Sequence, residues 1–302
     1  MRRVAFNVTA TLMAGVLVGC SQREAPGAAQ GTPAAPPAAQ AAPQSPLAGV
    51  ADAIASGKIT VVDLAQPLNE KTPVIQLPPP FANTPGYQSH VISQYDAKGP
   101  AWYWNWFSVG EHVGTHFDAP CHWATGKDQP CVDAIDPRQF AGPAVVLDVT
   151  SAVASNADFV LTRSAIEEWE QRNGRIPPRA WVLLRSGWAA RAADAARYFN
   201  VGADKMAHYP GFGKESAEFL TRERDVLGVG TEAVGTDAGI GAAANPPFPN
   251  HSIMHGAGKF GLTQLANLDR LPPTGAFVVA TPLKLERGSG SPVRPLAFVP
   301  AS

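Results

Sequence analysis

Residues 112–122 read HVGTHFDAPCH and carry three histidines and one aspartate within eleven positions. All four stand at even positions, so an extended backbone would direct them to one face. Four such residues at this spacing favour a metal site over a chance cluster of surface or core histidines. They are three of the seven histidines of the chain and one carboxylate, namely His112, His116, Asp118 and His122.

The backbone of this stretch is predicted to be a bent strand or a loop. A helix would also bring His112 and His116 to one face, at i and i+4, but Gly114 and Pro120 disfavour a helix interior. In a fully extended strand the Cα atoms of His116 and Asp118 would be about 6.6 Å apart, close enough to share an ion, whereas His112 would lie about 13 Å from His116. Gly114 can supply the bend that closes this gap.

The residue types in this stretch indicate hydrolytic metal chemistry. Two imidazoles and a carboxylate suit Zn²⁺ or Mn²⁺ and leave a coordination position open for water. The pKa of a water bound in a good zinc site falls to about 7, which supplies hydroxide at neutral pH. We therefore expect His112, His116 and Asp118 to bind a divalent ion, and His122 to act as the proton shuttle.

The composition indicates a globular protein and excludes several other classes. Of the 302 residues, 45% are hydrophobic and 16% are charged, which is enough to bury a sizeable core. The net charge of -1 leaves no basic excess to neutralise a phosphate backbone, so we expect no nucleic-acid partner. The 29 prolines and 28 glycines argue against a long helical bundle, and three cysteines are too few for a cysteine-rich zinc site.

Residues 1–20 have the features of an export signal. Arg2 and Arg3 precede a mostly apolar stretch at residues 4–18, which is too short to span a bilayer comfortably. The stretch runs into LVGC at residues 17–20, which resembles the lipobox of bacterial lipoproteins, where the cysteine is lipidated. An ordinary cleaved signal peptide is the alternative interpretation.

The mature protein is expected to be tethered to a membrane through its N-terminus. Lipidation of Cys20 would provide the anchor, and Ser21 at the next position favours, by the same resemblance, the outer membrane with the domain facing the periplasm. Residues 21–48 contain 10 Ala, 6 Pro and 4 Gln and almost no large apolar residue. Such a segment cannot bury a core, so we interpret it as a flexible tether.

Residues 49–302 are expected to form a single globular domain of mixed α/β class. Helices are predicted at residues 162–172, with Thr162 as the N-cap, and at residues 215–224. Strands that alternate with helices, together with many Pro and Gly turns, favour this class. Strands are predicted from apolar runs at residues 61–64, 144–149, 181–185, 226–229 and 276–285.

The pattern HxGTHxDxPxH at residues 112–122 resembles the signature of the metal-dependent cyclase family, which includes bacterial kynurenine formamidases and isatin hydrolases. The resemblance runs from residue 61 to residue 299 and implies a swivelling β/β/α fold around a barrel-like sheet, in a homo-oligomer. It also implies a hydrolase that opens a cyclic amide, lactone or N-formyl group by metal-bound hydroxide. Further blocks that resemble the family lie at residues 63–64, 72–74, 184–188, 209–211, 235–237 and 251–271.

By position, the resemblance assigns roles to individual side chains. His112, His116 and Asp118 would bind the metal, and His122 would be the general acid and base. His251 matches a histidine that binds a second metal in the formamidases.

The chain departs from the formamidase pattern twelve residues after His251. Thr263 replaces the glutamate that bridges two metals in those enzymes, which disfavours a two-metal site and leaves one divalent ion. The neighbouring Gln264 has an amide oxygen that could complete a one-metal site, or it is a surface amide. A regular strand cannot direct both Thr263 and Gln264 to the metal, because successive side chains face opposite sides. His255 either serves the site or has a capping or packing role.

Two features bear on the substrate. The tryptophan of formamidases that packs on an aromatic substrate corresponds here to Ile75, so a small-molecule substrate of the isatin-hydrolase kind is favoured over that of kynurenine formamidase. Trp102, Trp104 and Trp106 would share one face of a strand. They either form a flat pocket wall for a ring substrate or belong to the core.

A non-catalytic ligand-binding lipoprotein that retains the fold is the second interpretation of this chain. The presence of His122 argues against it, because a binding protein has no need of a proton shuttle. Ser186-Gly187 lacks the nucleophile-elbow pattern, which disfavours a serine hydrolase. Export would permit a disulfide between Cys121 and Cys131, but its geometry cannot be read from the sequence.

Overall fold

The central strands of the fold are apolar runs that are buried on both faces. The computed structural model describes residues 45, 47–77 and 79–301. Successive residues of Ala141–Asp148 and Trp181–Arg185 pack alternately in two hydrophobic clusters, on opposite sides of the sheet. Near-continuous apolar strands of this kind are typical of parallel strands covered on both faces.

Nine strands form one mixed sheet, and two strand pairs form two smaller sheets. The strands are β1 (Ile59–Asp63), β2 (Gln88–Gln94), β3 (Tyr103–Ser108), β4 (His116–Asp118), β5 (Ala141–Asp148), β6 (Val160–Leu161), β7 (Trp181–Arg185), β8 (Gly211–Phe212), β9 (Gly228–Thr231), β10 (Phe260–Thr263), β11 (Ala276–Val279), β12 (Gly290–Pro292) and β13 (Leu296–Pro300). The order across the large sheet is β1-β13-β11-β5-β7-β9-β10-β4-β12. Strands β5, β7, β9 and β10 are parallel, and the other neighbours in this sheet are antiparallel.

Helices cover one face of the large sheet. The helices are α1 (Ala48–Ala55), α2 (Thr150–Ser155), α3 (Arg163–Asn173), α4 (Ala195–Phe199), α5 (Lys214–Glu223) and α6 (Pro249–Gly256). Trp169 of α3, Phe219 of α5 and Met254 of α6 share a cluster with one side of β5 and β7. The mixed α/β class and the large barrel-like sheet expected from the sequence are therefore confirmed.

Both helices predicted from the sequence are present within one residue of their expected bounds. The predicted helix at residues 162–172 corresponds to α3, and the hydroxyl of Thr162 accepts a hydrogen bond from the backbone N–H of Ala165 at 3.2 Å, as expected of an N-cap. The helix predicted at residues 215–224 corresponds to α5.

Two strand predictions need correction at their ends. The strand predicted at residues 276–285 ends at Val279, because Pro282 lacks an N–H for a ladder and Leu283 donates its own N–H to the hydroxyl of Ser291. The strand predicted at residues 226–229 is β9, which begins and ends two residues later. The prediction placed it too early because the glycines at 228 and 230 weaken the apolar pattern of the true strand.

The predicted signal peptide with Cys20, and the predicted tether up to residue 44, lie outside the described residues. Helix α1 begins at Ala48, next to the predicted domain boundary, and Ser45–Ser302 form one compact unit. Within the described part of the chain, no helix is both long enough and apolar enough to cross a bilayer.

A disulfide joins Cys121 to Cys131, whose Cα atoms are 5.2 Å apart. It closes a short loop immediately beside His122, and Cys121 packs against the main hydrophobic cluster. The pairing left open by the sequence is thus present in the fold.

Removal of this disulfide is expected to destabilise the domain. In the chain-entropy model a disulfide that closes a loop of about ten residues stabilises the folded state relative to the unfolded chain by roughly 3 kcal/mol. Cys131→Ser should therefore lower the free energy of unfolding in urea by about that amount. Added reductant should lower the stability of the unsubstituted protein to that of Cys131→Ser and leave the stability of the variant unchanged. Equal stability of parent and variant would show that the bond contributes nothing.

The aromatic residues at 102–107 do not lie where the sequence analysis placed them. These residues precede and form β3. Within the described sheets β3 pairs only with β2, and both faces of this strand pair are exposed. Trp102, Trp104 and Trp106 are about half exposed and do not line the cavity described below, so the prediction that they form the core or a pocket wall is wrong.

Candidate metal centre

Strand β4 holds the centre of the candidate site between two neighbouring strands. His116 and Asp118 lie on β4, which is paired with β10 on one side and β12 on the other. His112 reaches the same place because Gly114 has a φ of +68°, a left-handed bend that brings the two imidazole centroids to 5.2 Å. The predicted bent backbone is therefore confirmed.

Asp118 is buried at the centre of the cluster. Its Oδ1 atom lies 2.7 Å from Nδ1 of His112 and 3.2 Å from Nε2 of His116. Its Oδ2 atom lies 4.0 Å from Nε2 of His251 and has no hydrogen-bond partner among the described residues. Burial opposes ionisation, but His116 and His112, when their imidazoles are protonated, hold the pKa of this carboxyl well below its usual range. Asp118 is thus a carboxylate surrounded by imidazoles.

The hydrogen-bond partners of His112 determine which ring nitrogen faces Asp118. The hydroxyl of Ser289 donates to Oε2 of Glu111 at 2.6 Å, so its oxygen is free to accept from Nε2–H of His112 at 2.9 Å. A neutral His112 then presents the lone pair of Nδ1 to Oδ1 of Asp118. Two acceptors 2.7 Å apart require a cation, either a proton or a metal, between them.

His116 is fixed in a similar way. Its Nδ1 atom lies 2.8 Å from the carbonyl oxygen of Gly114, which can only accept, so Nδ1 carries the proton. The lone pair of Nε2 therefore faces Asp118.

Helix α6 contributes two further imidazoles, at i and i+4. Nδ1 of His251 donates to the carboxylate of Asp237, and Nδ1 of His255 donates to the carbonyl oxygen of Lys259 at 3.0 Å. In both residues Nε2 is left facing Asp118, and Nε2 of His255 is buried without a partner among the described residues. Burial opposes protonation of His251, but the Asp237 carboxylate raises its pKa, whereas burial and the charge of His251 lower the pKa of His255 to about 4.

The ligand atoms form two overlapping groups that share Asp118. Within each group the ligand atoms lie within 4.8 Å of one another, and the groups are His112, Asp118, His122 and Asp118, His251, His255. The carboxylate, the inward lone pairs and the unpartnered Asp118 Oδ2 and His255 Nε2 fit a divalent cation. His116 contacts Asp118 but belongs to neither group.

Glycines on both neighbouring strands leave room for this cluster. Gly261 of β10 and Gly290 of β12 are the register partners of Asp118. A Cβ atom at residue 261 would lie 2.7 Å from Asp118 Oδ2, and one at residue 290 would lie 2.5 Å from His112 Cε1. The strand pairing therefore requires glycine on either side of the carboxylate.

His122 differs from the other four histidines of the cluster, because no hydrogen bond within the described residues fixes its ring. It follows Pro120 in a short 3-10 helix, Pro120–His122, and stacks on His112 with the ring centroids 3.9 Å apart. Burial and the charge of His112 lower the pKa of His122 well below its usual range. Its ring is therefore neutral at neutral pH and keeps a lone pair on one nitrogen.

Thr263 and Gln264 both line the same cavity, contrary to the expectation for a regular strand. Strand β10 ends at Thr263, and Gln264 takes a left-handed φ of +55°, which breaks the alternation of side chains. The hydroxyl of Thr263 lies 2.9 Å from Nδ1 of His116. Gln264 is buried, so the alternative of a surface amide is wrong.

The cluster opens into a cavity of about 270 Å³ whose remaining wall is largely apolar. Ile75 lies in this wall. By the family resemblance, this residue corresponds to the tryptophan that packs on the substrate in formamidases. Trp123 is held there by its indole N–H, which donates to the hydroxyl of Ser252 at 3.0 Å. Other residues of the wall are Leu77, Tyr209, Val234 and Phe248.

Sequence reasoning missed several residues that orient the cluster. Asp237, which accepts from His251, lies in a block that resembles the family but was assigned no role. Glu111 stands next to His112 with no local pattern to mark it, and Ser289 is 177 residues away from that histidine. Only the folded chain brings these partners together.

A carboxylate among oriented imidazoles, beside an apolar cavity, defines a metal-dependent hydrolase. The chain belongs to the cyclase family, since the family model described as "Putative cyclase" matches residues 62–238.

Individual relatives agree with this assignment. An isatin hydrolase from Roseibium aggregatum is 45% identical over 258 residues, which cover 84% of this chain and 97% of the relative. A kynurenine formamidase from Polaromonas naphthalenivorans is 25% identical over 244 residues, covering 80% and 92%. A crystal structure of an isatin hydrolase bound to the product analogue thioisatinate is 44% identical with a TM-score of 0.82, covering 84% of this chain and 98% of that one. The similarity is thus greater to isatin hydrolases than to the formamidase.

Proposed function

We propose that this protein hydrolyses the cyclic amide of isatin or of a closely similar ring, with one divalent ion, Zn²⁺ or Mn²⁺, bound at Asp118. The observation that carries the proposal is the set of inward imidazole lone pairs around this buried carboxylate. The high identity to isatin hydrolases supports the choice of substrate. Thr263 in place of a bridging carboxylate supports a single ion.

His112, His116 and Asp118 would hold the ion, with His251 and Gln264 as further ligands. When bound, a divalent ion polarises the amide carbonyl and lowers the pKa of a coordinated water. The chain itself orients these ligands through Ser289, the carbonyl of Gly114 and Asp237, and such partners typically strengthen metal binding 10- to 100-fold.

His122 would move the proton. Its neutral ring would accept a proton from the attacking water and then donate it to the ring nitrogen as the amide C–N bond breaks. The apolar wall formed by Ile75, Trp123 and Phe248 would hold the flat face of the substrate against the cluster and exclude bulk water.

Metal analysis and activity measurements on one preparation test this proposal. We expect about one equivalent of metal and hydrolysis of isatin, followed by the loss of its absorbance, with N-formylkynurenine hydrolysed far more slowly. Reconstitution of the chelated enzyme with Zn²⁺ or Mn²⁺ separately would identify the active ion. A protein that binds metal but opens no member of a panel of cyclic amides and lactones would instead be the non-catalytic binding protein.

We further propose that Cys20 is lipidated and that the domain is held at the periplasmic face of the outer membrane. The proposal rests on the sequence LVGC after an apolar run. Cys20→Ala is expected to move the protein out of the membrane fraction, or to leave its signal uncleaved. Mass spectrometry of the mature N-terminus checks this directly, and an unmodified N-terminus in the parent protein would contradict it.

A further inference from the structure

Tyr209 places a hydroxyl group without a protein partner in the wall of the metal cavity. The residue is only 5% exposed, and its hydroxyl makes no hydrogen bond with the described residues. Four side-chain polar atoms of the described residues are both unpartnered and fully enclosed, and the Tyr209 oxygen is not one of them. The hydroxyl is therefore in contact with the open space of the cavity that Tyr209 lines.

This hydroxyl lies beside the metal cluster. A Cβ atom added to Gly235 would lie 3.9 Å from the Tyr209 oxygen and 3.8 Å from Cε1 of His251, so the hydroxyl and this imidazole flank the same glycine. Cε1 is bonded to Nε2 of His251, the nitrogen that faces Asp118. Because glycine has no side chain, the space between the tyrosine hydroxyl and the cluster stays open.

The surrounding chain holds Tyr209 in place. Its carbonyl oxygen accepts a hydrogen bond from the N–H of Gly239 at 2.8 Å, and its ring belongs to a buried hydrophobic cluster. The preceding residue, His208, lies between two carboxylates, with its ring nitrogens 2.9 Å from Asp158 and 3.1 Å from Asp204. A hydroxyl held in this way loses little freedom when it binds a ligand, so it can discriminate between ligands with and without an acceptor.

The other buried neutral polar side chains that line the cavity already have a role. They are Thr263 and Gln264. The hydroxyl of Thr263 lies 2.9 Å from Nδ1 of His116, and the amide oxygen of Gln264 is proposed above as a ligand of the ion. Within the described part of the chain, Tyr209 is thus the buried neutral donor that is left for the substrate.

We propose that the Tyr209 hydroxyl donates a hydrogen bond to a second carbonyl oxygen of the substrate, next to the amide carbonyl that is hydrolysed. The residue would thereby select cyclic α-ketoamides over simple cyclic amides, an inference that rests on the proposed function. In isatin the ketone and the amide carbonyl are on neighbouring ring atoms. When the amide oxygen lies at the cluster, the ketone oxygen lies beside it, where an apolar wall alone could not recognise it.

The expected selectivity follows from the cost of a donor that loses its partner. A ligand without the ketone would cover the hydroxyl with a CH₂ group and remove it from water. A buried donor left unsatisfied in this way typically weakens binding about 5- to 100-fold. Burial, together with the negative charge of Asp237, raises the pKa of Tyr209, so the hydroxyl keeps its proton and remains a donor around neutral pH.

Equilibrium binding of two ring-opened acids tests the proposal. 2-Aminophenylglyoxylate, the product of isatin hydrolysis, carries the ketone, and 2-aminophenylacetate has a CH₂ group in its place. By calorimetry on the metal-loaded protein, we expect the keto acid to bind about 10-fold or more tightly than the other acid. Tyr209→Phe removes only the hydroxyl oxygen and should abolish this difference by weakening the keto acid alone. Tyr95→Phe makes the same change at an exposed tyrosine outside the cavity and should alter neither affinity.

Turnover of isatin by the same preparations separates this inference from the proposed function. Equal affinity of the unsubstituted protein for the two acids would overturn the role of Tyr209 while isatin hydrolysis stands. An equal loss of both affinities in Tyr209→Phe, with metal content and circular dichroism unchanged, would do the same. A ketone-dependent difference that disappears in Tyr209→Phe would support the role of Tyr209 even in a protein that leaves isatin intact, whereas that inactivity would contradict the proposed function.

Discussion

Asp118→Asn is expected to abolish metal binding and to lower kcat/KM for isatin by about 10³-fold or more. An asparagine side chain keeps the shape of the carboxylate but removes the negative charge toward which the imidazole lone pairs are directed. Metal ions contribute several kcal/mol to the stabilisation of a hydrolytic transition state, and each 1.36 kcal/mol is about tenfold in rate. Metal content and kcat/KM should be measured on the same preparation, together with circular dichroism to confirm the fold.

Asp225→Asn is the matched control for this variant. Asp225 is exposed and pairs with Lys259 on the surface, so its loss should change neither metal content nor turnover. Full metal occupancy in Asp118→Asn would show that the ion is bound elsewhere. Loss of metal with intact hydrolysis would remove the metal from the reaction altogether.

The sequence was sufficient for those parts of the site that are local along the chain. His112, His116 and Asp118 lie within seven residues, so the alternation of a strand and the bend at Gly114 could be inferred from residue types alone. The helix cap at Thr162 and the apolar central strands were predictable for the same reason, because each depends on near neighbours in sequence.

The parts that could not be predicted depend on contacts between distant segments or on one unusual backbone angle. Ser289 and Glu111 fix the tautomer of His112 only because β12 pairs with β4. Gln264 reaches the cavity only because its φ is positive, which no alternation rule anticipates for a glutamine.

Trp102, Trp104 and Trp106 show a second limit of prediction from the sequence. A pattern of alternating tryptophans predicts a strand with an apolar face, and that prediction is correct for β3. It does not tell whether the rest of the chain covers this face. An exposed strand and a buried strand can carry the same alternation of residues, which is why the sequence favoured the core or a pocket wall for Trp102, Trp104 and Trp106, whereas these side chains are about half exposed.

The ring of His122 lies within ligand distance of Asp118 and His112, which places it close enough either to bind an ion or to transfer a proton beside it. The four other imidazoles each have one nitrogen fixed by a hydrogen bond, as metal ligands usually do. His122 has no such bond within the described residues, which suits a ring that must accept and release a proton. We therefore expect it to act beside the ion and not on it.

His122→Gln should keep its metal and lose about 10²–10⁴-fold in kcat, the usual contribution of general acid–base catalysis. A 4-nitrophenyl ester should be affected much less, because its leaving group departs without a proton, whereas the ring nitrogen of isatin must be protonated. Metal content and kcat on both substrates, from one preparation, separate the two roles. Loss of metal together with activity would make His122 a ligand, and unchanged kcat with the metal intact would remove it from the proton path.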